Sequence, residues 1–341
     1  MEELETWRRL QATFPELQRP FFAPEYHQIL GEVLPEVEVA VLREGDDVVG
    51  FFPFQRGNGG VARPVGLRLN DFQGLIAPPG LELDFTAVLR ESGLAGWRFD
   101  HLVANQQCLA PFHRHCEESL LVDLSQGYDA YLADRREAGA NWVSQIPRKT
   151  RKLSRELGKM RFVFDCQDPA VLEQVKVWKS QQRERTGTFD VLRLPWITHA
   201  FRRMLQTEEP GFRGLVSALF AGQRLVAAHF GVRSHGTLHW WFPGYDITAE
   251  KYSPGLILLT EAFRAAADLG IERIDLGKGR ERYKSSFMTG SETLAEGFVE
   301  LRPLRRWLNR AWHSGRVWAR ESRLKGLIKG SQRMIRRTIG R

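Results

Sequence analysis

The stretch LHWWFPGYDITAEKYSPGLILLTEAFRAAADLGIERIDLGKGRERYKSSF, Leu238 to Phe287, decides how the rest of the chain is read. Leu238 to Phe242 is aromatic and lies between Gly236 and Pro243-Gly244, turn signals that bound a strand. Ser253-Pro254-Gly255 predicts a helix start. A serine hydroxyl there takes an orphan backbone N–H, and a proline at the first helical position gives up an N–H that no bond needs. Leu256, Leu259, Phe263 and Ala266 or Ala267 then recur at helical spacing. Gly270 fits just past the C-terminus, where the backbone turns left-handed. Ile271, Ile274 and Leu276, with charges between them, mark a second strand, and a basic loop follows. A strand feeding a helix N-terminus leaves free N–H groups and a positive dipole end at the loop, an arrangement that receives anions.

The 341 residues have room for about two domains, and a 43% hydrophobic fraction is enough for a sizeable core. Charge is unevenly spread. Residues 301–341 hold 13 Lys and Arg against one acid, Glu321, so a chain of net charge +8 leaves its first 300 residues at −4. Cys108, Cys116 and Cys166 are odd in number and lack C-x-x-C spacing, which argues against a disulfide framework and for a reducing compartment. The opening MEELETWRRL is charged and carries no apolar signal region. No run of about 18 apolar residues exists. The expectation is a cytoplasmic protein.

Upstream, Val37–Arg43 and Val48–Gln55 form a hairpin about Glu44-Gly45-Asp46-Asp47. Asn70-Asp71-Phe72 reads as a turn in which Asn and Asp bond their own backbone. Leu83–Ser92 is a helix and Trp97–Val103 a strand. Cys108-x7-Cys116 with His113 and His115 matches no standard zinc spacing, so no metal is expected. Ser119–Leu124 is a strand, Tyr128–Arg136 a helix, and Ile146–Leu157 a helix carrying Arg148, Lys149, Arg151, Lys152 and Arg155. That run is either a solvated face or a contact for an anionic ligand. Arg161–Cys166 is a strand, Pro169–Arg185 and Pro195–Leu205 are helices, and Phe212–Ala221 with Leu225–Arg233 is a hairpin about Gly222-Gln223.

The order of Tyr245-Asp246, Ser253-Pro254-Gly255, Asp275-Leu276-Gly277 and Tyr283-Lys284-x-x-Phe287 resembles the GNAT-fold acetyltransferases of the CelD/BcsL type. That family is associated with cellulose and other exopolysaccharide biosynthesis. It is related to the FemAB peptidoglycan aminoacyltransferases, which carry a similar aromatic-Lys-x-x-Phe sequence. The resemblance is sharpest over residues 213–290. It implies an α/β (α+β) chain of two tandem GNAT-like domains, each a mixed β-sheet flanked by helices. Residues 1–139 are the N-terminal domain, residues 140–300 the catalytic one, and residues 301–341 a basic helical tail. It implies acyl-CoA, such as acetyl-CoA, as donor, and an amine or hydroxyl of a sugar or polysaccharide precursor as acceptor. It also places Asn70 and Asp71 near the domain interface, where they and Arg148 are candidates to bind substrate.

Acyl transfer needs an anion site for the donor's pyrophosphate, a proton acceptor for the nucleophile, and stabilisation of the tetrahedral oxyanion. Ser253 and the N–H groups of Gly255, Leu256 and Ile257 are the candidates for the pyrophosphate. Only Gly255 remains of the glycine-rich loop that simple GNAT enzymes carry. Trp241 and Phe242 lie where the resemblance places the donor's pantetheine arm. Otherwise they are core, and of Trp240 and Trp241 one ring must face each side of the sheet. Candidate bases are Asp246, His229, Asp275 and Tyr283. His229, in the apolar run AAHFGV, is alternatively a satisfied core residue, and Asp246 a turn residue. Lys284 matches the Fem-type lysine and is the candidate to neutralise a phosphate or the oxyanion.

In the tail, Leu304, Trp307, Leu308, Ala311, Trp312, Trp318 and Ala319 follow helical spacing, with arginines on the other faces. A basic helix with tryptophan on its apolar side suits an anionic membrane surface, packing on the body, or RNA phosphates. Two alternatives to the acyl-CoA enzyme therefore stand: a Fem-like transferase using aminoacyl-tRNA, and a non-enzymatic scaffold held at the inner membrane face.

Overall fold

The computed structural model describes residues 2–209, 211–279 and 281–303. The expected tail helix therefore lies, from residue 304 on, outside the described residues. Eleven strands form one sheet: β1 (Val37–Glu44), β2 (Asp47–Arg56), β3 (Val61–Arg63), β4 (Gly96–Val103), β5 (His113–Asp123), β6 (Met160–Val163), β7 (Arg213–Ala221), β8 (Arg224–Ser234), β9 (Thr237–Tyr245), β10 (Arg273–Lys278) and β11 (Gly290–Glu300). Their order is β1-β2-β3-β4-β11-β5-β10-β9-β8-β7-β6. Only the β3–β4 and β9–β10 pairs are parallel. The last strand, β11, inserts between β4 and β5 and ties the two ends of the chain into one sheet.

Nine helices pack on this sheet: α1 (Glu2–Thr13), α2 (Pro24–Val33), α3 (Phe85–Glu91), α4 (Gly127–Glu137), α5 (Trp142–Leu157), α6 (Pro169–Thr186), α7 (Pro195–Gln206), α8 (Pro254–Asp268) and α9 (Arg282–Phe287) among the described residues. One core joins both halves of the chain, with Phe21 and Phe72 packed in the same cluster as Phe201 and Phe230. A second lies under α4, α5 and α8 around Tyr131, Trp142, Phe263 and Phe287. A third holds Phe52, Phe85, Trp97 and Phe99. The fold is thus a mixed α/β architecture with helices flanking a large mixed sheet. Among the described residues no helix is long and apolar enough to cross a membrane.

One local reading stands and two shift. The β1–β2 hairpin turns at Gly45, whose φ of +61° suits glycine, as the sequence suggests. Helix α5 begins a turn earlier than expected, at Trp142, and runs through Pro147. Burial of Trp142 against Phe287 overrides the proline's lost backbone bond. Strand β9 runs past Phe242 to Tyr245 with Pro243 inside it. Proline is tolerated because β10 pairs with β9 only as far as His239, so Pro243 lies on a free edge.

Candidate active site

That free edge makes the site. β10 follows β9 from Thr237 to His239 and then diverges, leaving a wedge between Trp240–Tyr245 and Leu276–Lys278. The wedge is a cleft of about 580 Å³ lined by β9, α6, the start of α8, and the loop from Gly277 to Lys284.

At the helix end of the cleft, Ser253 departs from expectation. Its φ is +54° and its hydroxyl caps no backbone N–H. Instead Oγ accepts from Lys149 Nζ at 2.5 Å. The Ser253 carbonyl accepts from the N–H groups of both Leu256 and Ile257. Of the three N–H groups expected to hold a pyrophosphate, two are therefore committed, and only that of Gly255 lacks an acceptor among the described residues. Gly255 lies against the ring of Tyr245: a Cβ there would come within 3.4 Å of it. Leu256 lines the cleft, whereas Ile257 is buried in the core behind it. One free N–H, a helix dipole and the Lys149 ammonium remain as an anion-receiving corner.

At the other end, Tyr283-Lys284-x-x-Phe287 forms the short helix α9. Phe287 is fully buried and stacks on Trp142 at 4.1 Å. Trp142 donates to the Ser286 carbonyl and Tyr131 to that of Phe287. So anchored, α9 turns Lys284 into the cleft with 7% of its surface exposed. Lys284 Nζ donates to the Lys278 carbonyl at 3.0 Å and pairs with Glu281 at 3.0 Å. We predict that Phe287→Ala destabilises the protein by about 3–5 kcal/mol in denaturant unfolding, the usual result of emptying a buried phenylalanine site. A change under about 1 kcal/mol contradicts that anchoring role.

The N-terminal half contributes the carboxylate. Asp71 Oδ2 lies 2.9 Å from His239 Nε2, and Oδ1 lies 4.0 Å from His101 Nε2. His239 is 1% exposed and held edge-on by Phe21 and Phe72. His101 reaches Asp71 because of a bulge in β4: Leu102 faces Ala295 and Phe99 faces Gly297, so two residues of β4 stand opposite Glu296 alone. Burial alone would raise the Asp71 pKa, but His239, His101 and Lys284 outweigh it and hold the carboxyl below its usual range. Burial alone would lower that of His101, but Asp100 and Asp71 outweigh it and hold the imidazole above its usual value.

Gly277 separates these groups. Its φ is +78°, and a Cβ there would stand 3.7 Å from His239 Cε1 and 3.9 Å from Lys284 Nζ. The absent side chain leaves space for a reacting carbon between the histidine–aspartate pair and the lysine. Lys179, on α6, also lines the cleft. Burial, with Arg183 and Lys284 nearby, lowers its pKa to about 8. Burial, with Glu281, pushes that of Tyr283 up, so its phenol stays protonated near neutral pH.

Other sequence candidates lie elsewhere. Asp246 does not line the cleft. It caps the turn at Thr248 and is bound by Arg224, a use the turn reading anticipates. Burial alone would raise its pKa, yet Arg224 and Thr248 outweigh this and lower it. His229 is fully buried, stacks on Trp240 at 3.6 Å, and accepts from the Trp241 N–H through Nε2. It fills a bulge between β8 and β9. Burial drives its pKa well down and keeps it neutral. Trp241 lines the cleft, while Phe242 is buried beside Phe201. Trp240 and Trp241 face opposite sides of the sheet, as strand alternation requires. Asn70 is buried and spans its own turn, bonding the Val65 carbonyl and the Phe72 N–H. Arg148 is exposed on α5, outside the cleft lining. His239, His101 and Lys179 were not singled out in the sequence, and Gly277 entered only as part of the Asp275-Leu276-Gly277 motif. The one available signal was that strand alternation puts His239 on the same face as the cleft-lining Trp241.

Comparison with known proteins follows the geometry. Residues 141–285 match the family described as acetyltransferase (GNAT) domain. No curated protein matches the chain. Among solved structures, FemX superposes with a TM-score of 0.63 at 8% identity, over 90% of this chain and 98% of that one. The C-terminal domain (DUF2156) of a protein from Agrobacterium fabrum superposes with a TM-score of 0.55 at 13% identity, over 93% and 96%. A tandem GNAT protein from the clavulanic acid biosynthesis pathway reaches a TM-score of 0.47 at 12% identity, over 89% and 96%. Residues 141–285 are thus a GNAT-type acetyltransferase domain, which supports acyl transfer as the enzyme class.

Proposed function

We propose that this cleft moves an acetyl or other acyl group from acyl-CoA to an amine or hydroxyl of a saccharide-type acceptor. The single observation that carries the reading is the convergence of Asp71–His239 and Lys284 on the space left by Gly277. The donor enters along the free edge of β9, with its pyrophosphate at the Gly255 N–H and Lys149. Its thioester carbonyl comes to rest over Gly277. Asp71, oriented by His239, takes the proton that the attacking nitrogen or oxygen sheds as the new bond forms. The Lys284 ammonium stabilises the oxyanion of the tetrahedral intermediate. Collapse expels the CoA thiolate, which takes up a proton. Residues 1–139 would serve as the half that presents Asp71, and residues 140–300 as the half that holds the donor. The saccharide acceptor and the CelD/BcsL assignment rest on the order of the motifs in Leu238–Phe287. A cytoplasmic enzyme, held at an anionic membrane face by the basic segment 301–341, is the matching location.

Calorimetric titration of acetyl-CoA tests the donor. We expect binding by the wild type and its loss in Gly255→Asp. An aspartate in the first helical turn favours the helix and opposes the anion, and because its Cβ also meets the Tyr245 ring, unchanged thermal unfolding of the variant shows that the loss reports the site and not the fold. A wild type that binds neither acetyl-CoA nor CoA overturns the acyl-CoA reading.

One observation supports a second donor. Arg148, Arg151, Lys152 and Arg155 are exposed along α5, which reaches the donor corner through Lys149. A phosphate chain longer than that of CoA, as in aminoacyl-tRNA, would engage that row. Such binding would weaken steeply with salt. Salt-insensitive or absent tRNA binding eliminates this donor.

A further inference from the structure

A second groove, of about 370 Å³, adjoins the cleft, and its chemistry differs. Its walls come from the end of β3 and the turn before Asp71, from β4, and from the segment between α6 and α7 with the first turn of α7. Arg63, Arg68 and Arg98 are all exposed along it. Arg63 and Arg68 pair with no carboxylate among the described residues. The opposite wall is aromatic: Phe189 is 49% exposed, Trp196 half-buried, and the Arg68 guanidinium stands 5.8 Å from the Phe189 ring. Leu67 is 38% exposed on the rim with φ at +52°, a conformation leucine rarely adopts.

The two linings meet at two points of the chain. Asp100 belongs to the groove and His101 to the cleft; Leu69 belongs to the groove and Asp71 to the cleft. A molecule lying in the groove would approach the cleft from its His101 and Asp71 side. The Arg63 and Arg68 guanidinium groups suit a phosphate group: each offers forked N–H donors, and their charge, with that of Arg98 beside them, offsets its charge of about two. The Phe189–Trp196 wall suits a planar or apolar portion of the same molecule.

We propose that this groove is the acceptor subsite and that the acyl acceptor is a phosphorylated molecule with a planar or apolar portion. Its phosphate lies among Arg63, Arg68 and Arg98, and its nucleophile reaches Asp71. The proposal rests on acyl transfer at the neighbouring cleft, and a binding experiment separates the two. The probes are 4-methylumbelliferyl phosphate and the neutral 7-methoxy-4-methylcoumarin, titrated fluorimetrically into the full chain with and without saturating CoA. The phosphate ester is expected to bind about tenfold or more tightly than the neutral compound. CoA is expected to leave that binding in place. The double variant R63Q/R68Q is expected to bind both probes alike. Both residues are exposed, so folding is not at stake, and thermal unfolding confirms it. F189A is expected to weaken both probes by a similar factor. Equal binding of the two probes by the wild type overturns the proposal, as does an unchanged preference in R63Q/R68Q or displacement of the phosphate ester by CoA. Failure of the donor reading shows separately, as absence of acetyl-CoA binding in the same sample while the phosphate preference persists.

Discussion

Replacing Lys284 by methionine is expected to lower kcat by about 10²- to 10³-fold, the usual loss when one donor to a developing oxyanion is removed. Methionine keeps most of the aliphatic stem and deletes the charge. The groups left behind tolerate the change: Glu281 is 57% exposed and returns to water, and the Lys278 carbonyl loses one hydrogen bond worth about 1 kcal/mol. Stability should therefore fall little while turnover collapses. Affinity for acetyl-CoA should stay within about threefold, because the ground-state carbonyl carries little charge for the ammonium to meet. Steady-state kinetics beside calorimetry separates the possibilities. If the acceptor's KM rises and kcat holds, Lys284 binds substrate and does not stabilise the transition state. If neither changes by more than about threefold, the lysine has no part in the chemistry.

The readable part of this site is the part made by local sequence. From Ser253 to Asp275 the helix and the following strand are set by spacing and breakers, so Gly255 stands out from the chain alone; Lys284 stands out only through the Fem-type resemblance, and the basic loop expected around it is the short helix α9. The rest depends on register. Asp71 and His239 are separated by 168 positions and meet only because the turn carrying Asp71 packs against β9. His101 faces Asp71 because of one extra residue in β4, a feature that no alternation pattern announces. His229 looks like a base in an apolar strand, yet a bulge between β8 and β9 gives it a backbone N–H to hold. The insertion of β11 between β4 and β5 was equally hidden, since non-consecutive pairing leaves no mark in either strand's own sequence. The hydroxyl of Ser253 shows the reverse case. The residue type is right for a cap, but Lys149 takes the oxygen from a helix 104 positions away.

Asp71→Asn separates the roles of charge and shape at the other side of the cleft. The amide has nearly the volume of the carboxylate and can still accept from the His239 N–H, so the fold should persist. What it cannot do is take a proton, and kcat should fall by about 10²- to 10⁴-fold, the range for loss of a general base. The variant also has a readout that does not depend on activity. Because Asp71 is held below its usual range in the folded protein, its contribution to stability is present above the unfolded carboxyl pKa of about 3.9 and is lost as pH falls through the lower, folded value. The wild type should therefore unfold at higher temperature than the variant at pH 7, by an amount worth about 2 kcal/mol for a charge-assisted bond. The gap should close in strong acid. His101 moves in the opposite sense. Its imidazole, raised in part by Asp71, stabilises the fold below its unfolded pKa of about 6.5, and that stabilisation disappears as pH rises through the folded value. Removing the Asp71 charge should lower the His101 titration midpoint seen by NMR, but not abolish the elevation, because Asp100 still holds Nδ1 at 3.1 Å. An unchanged His101 midpoint contradicts the electrostatic coupling, and an unchanged kcat removes Asp71 as the base.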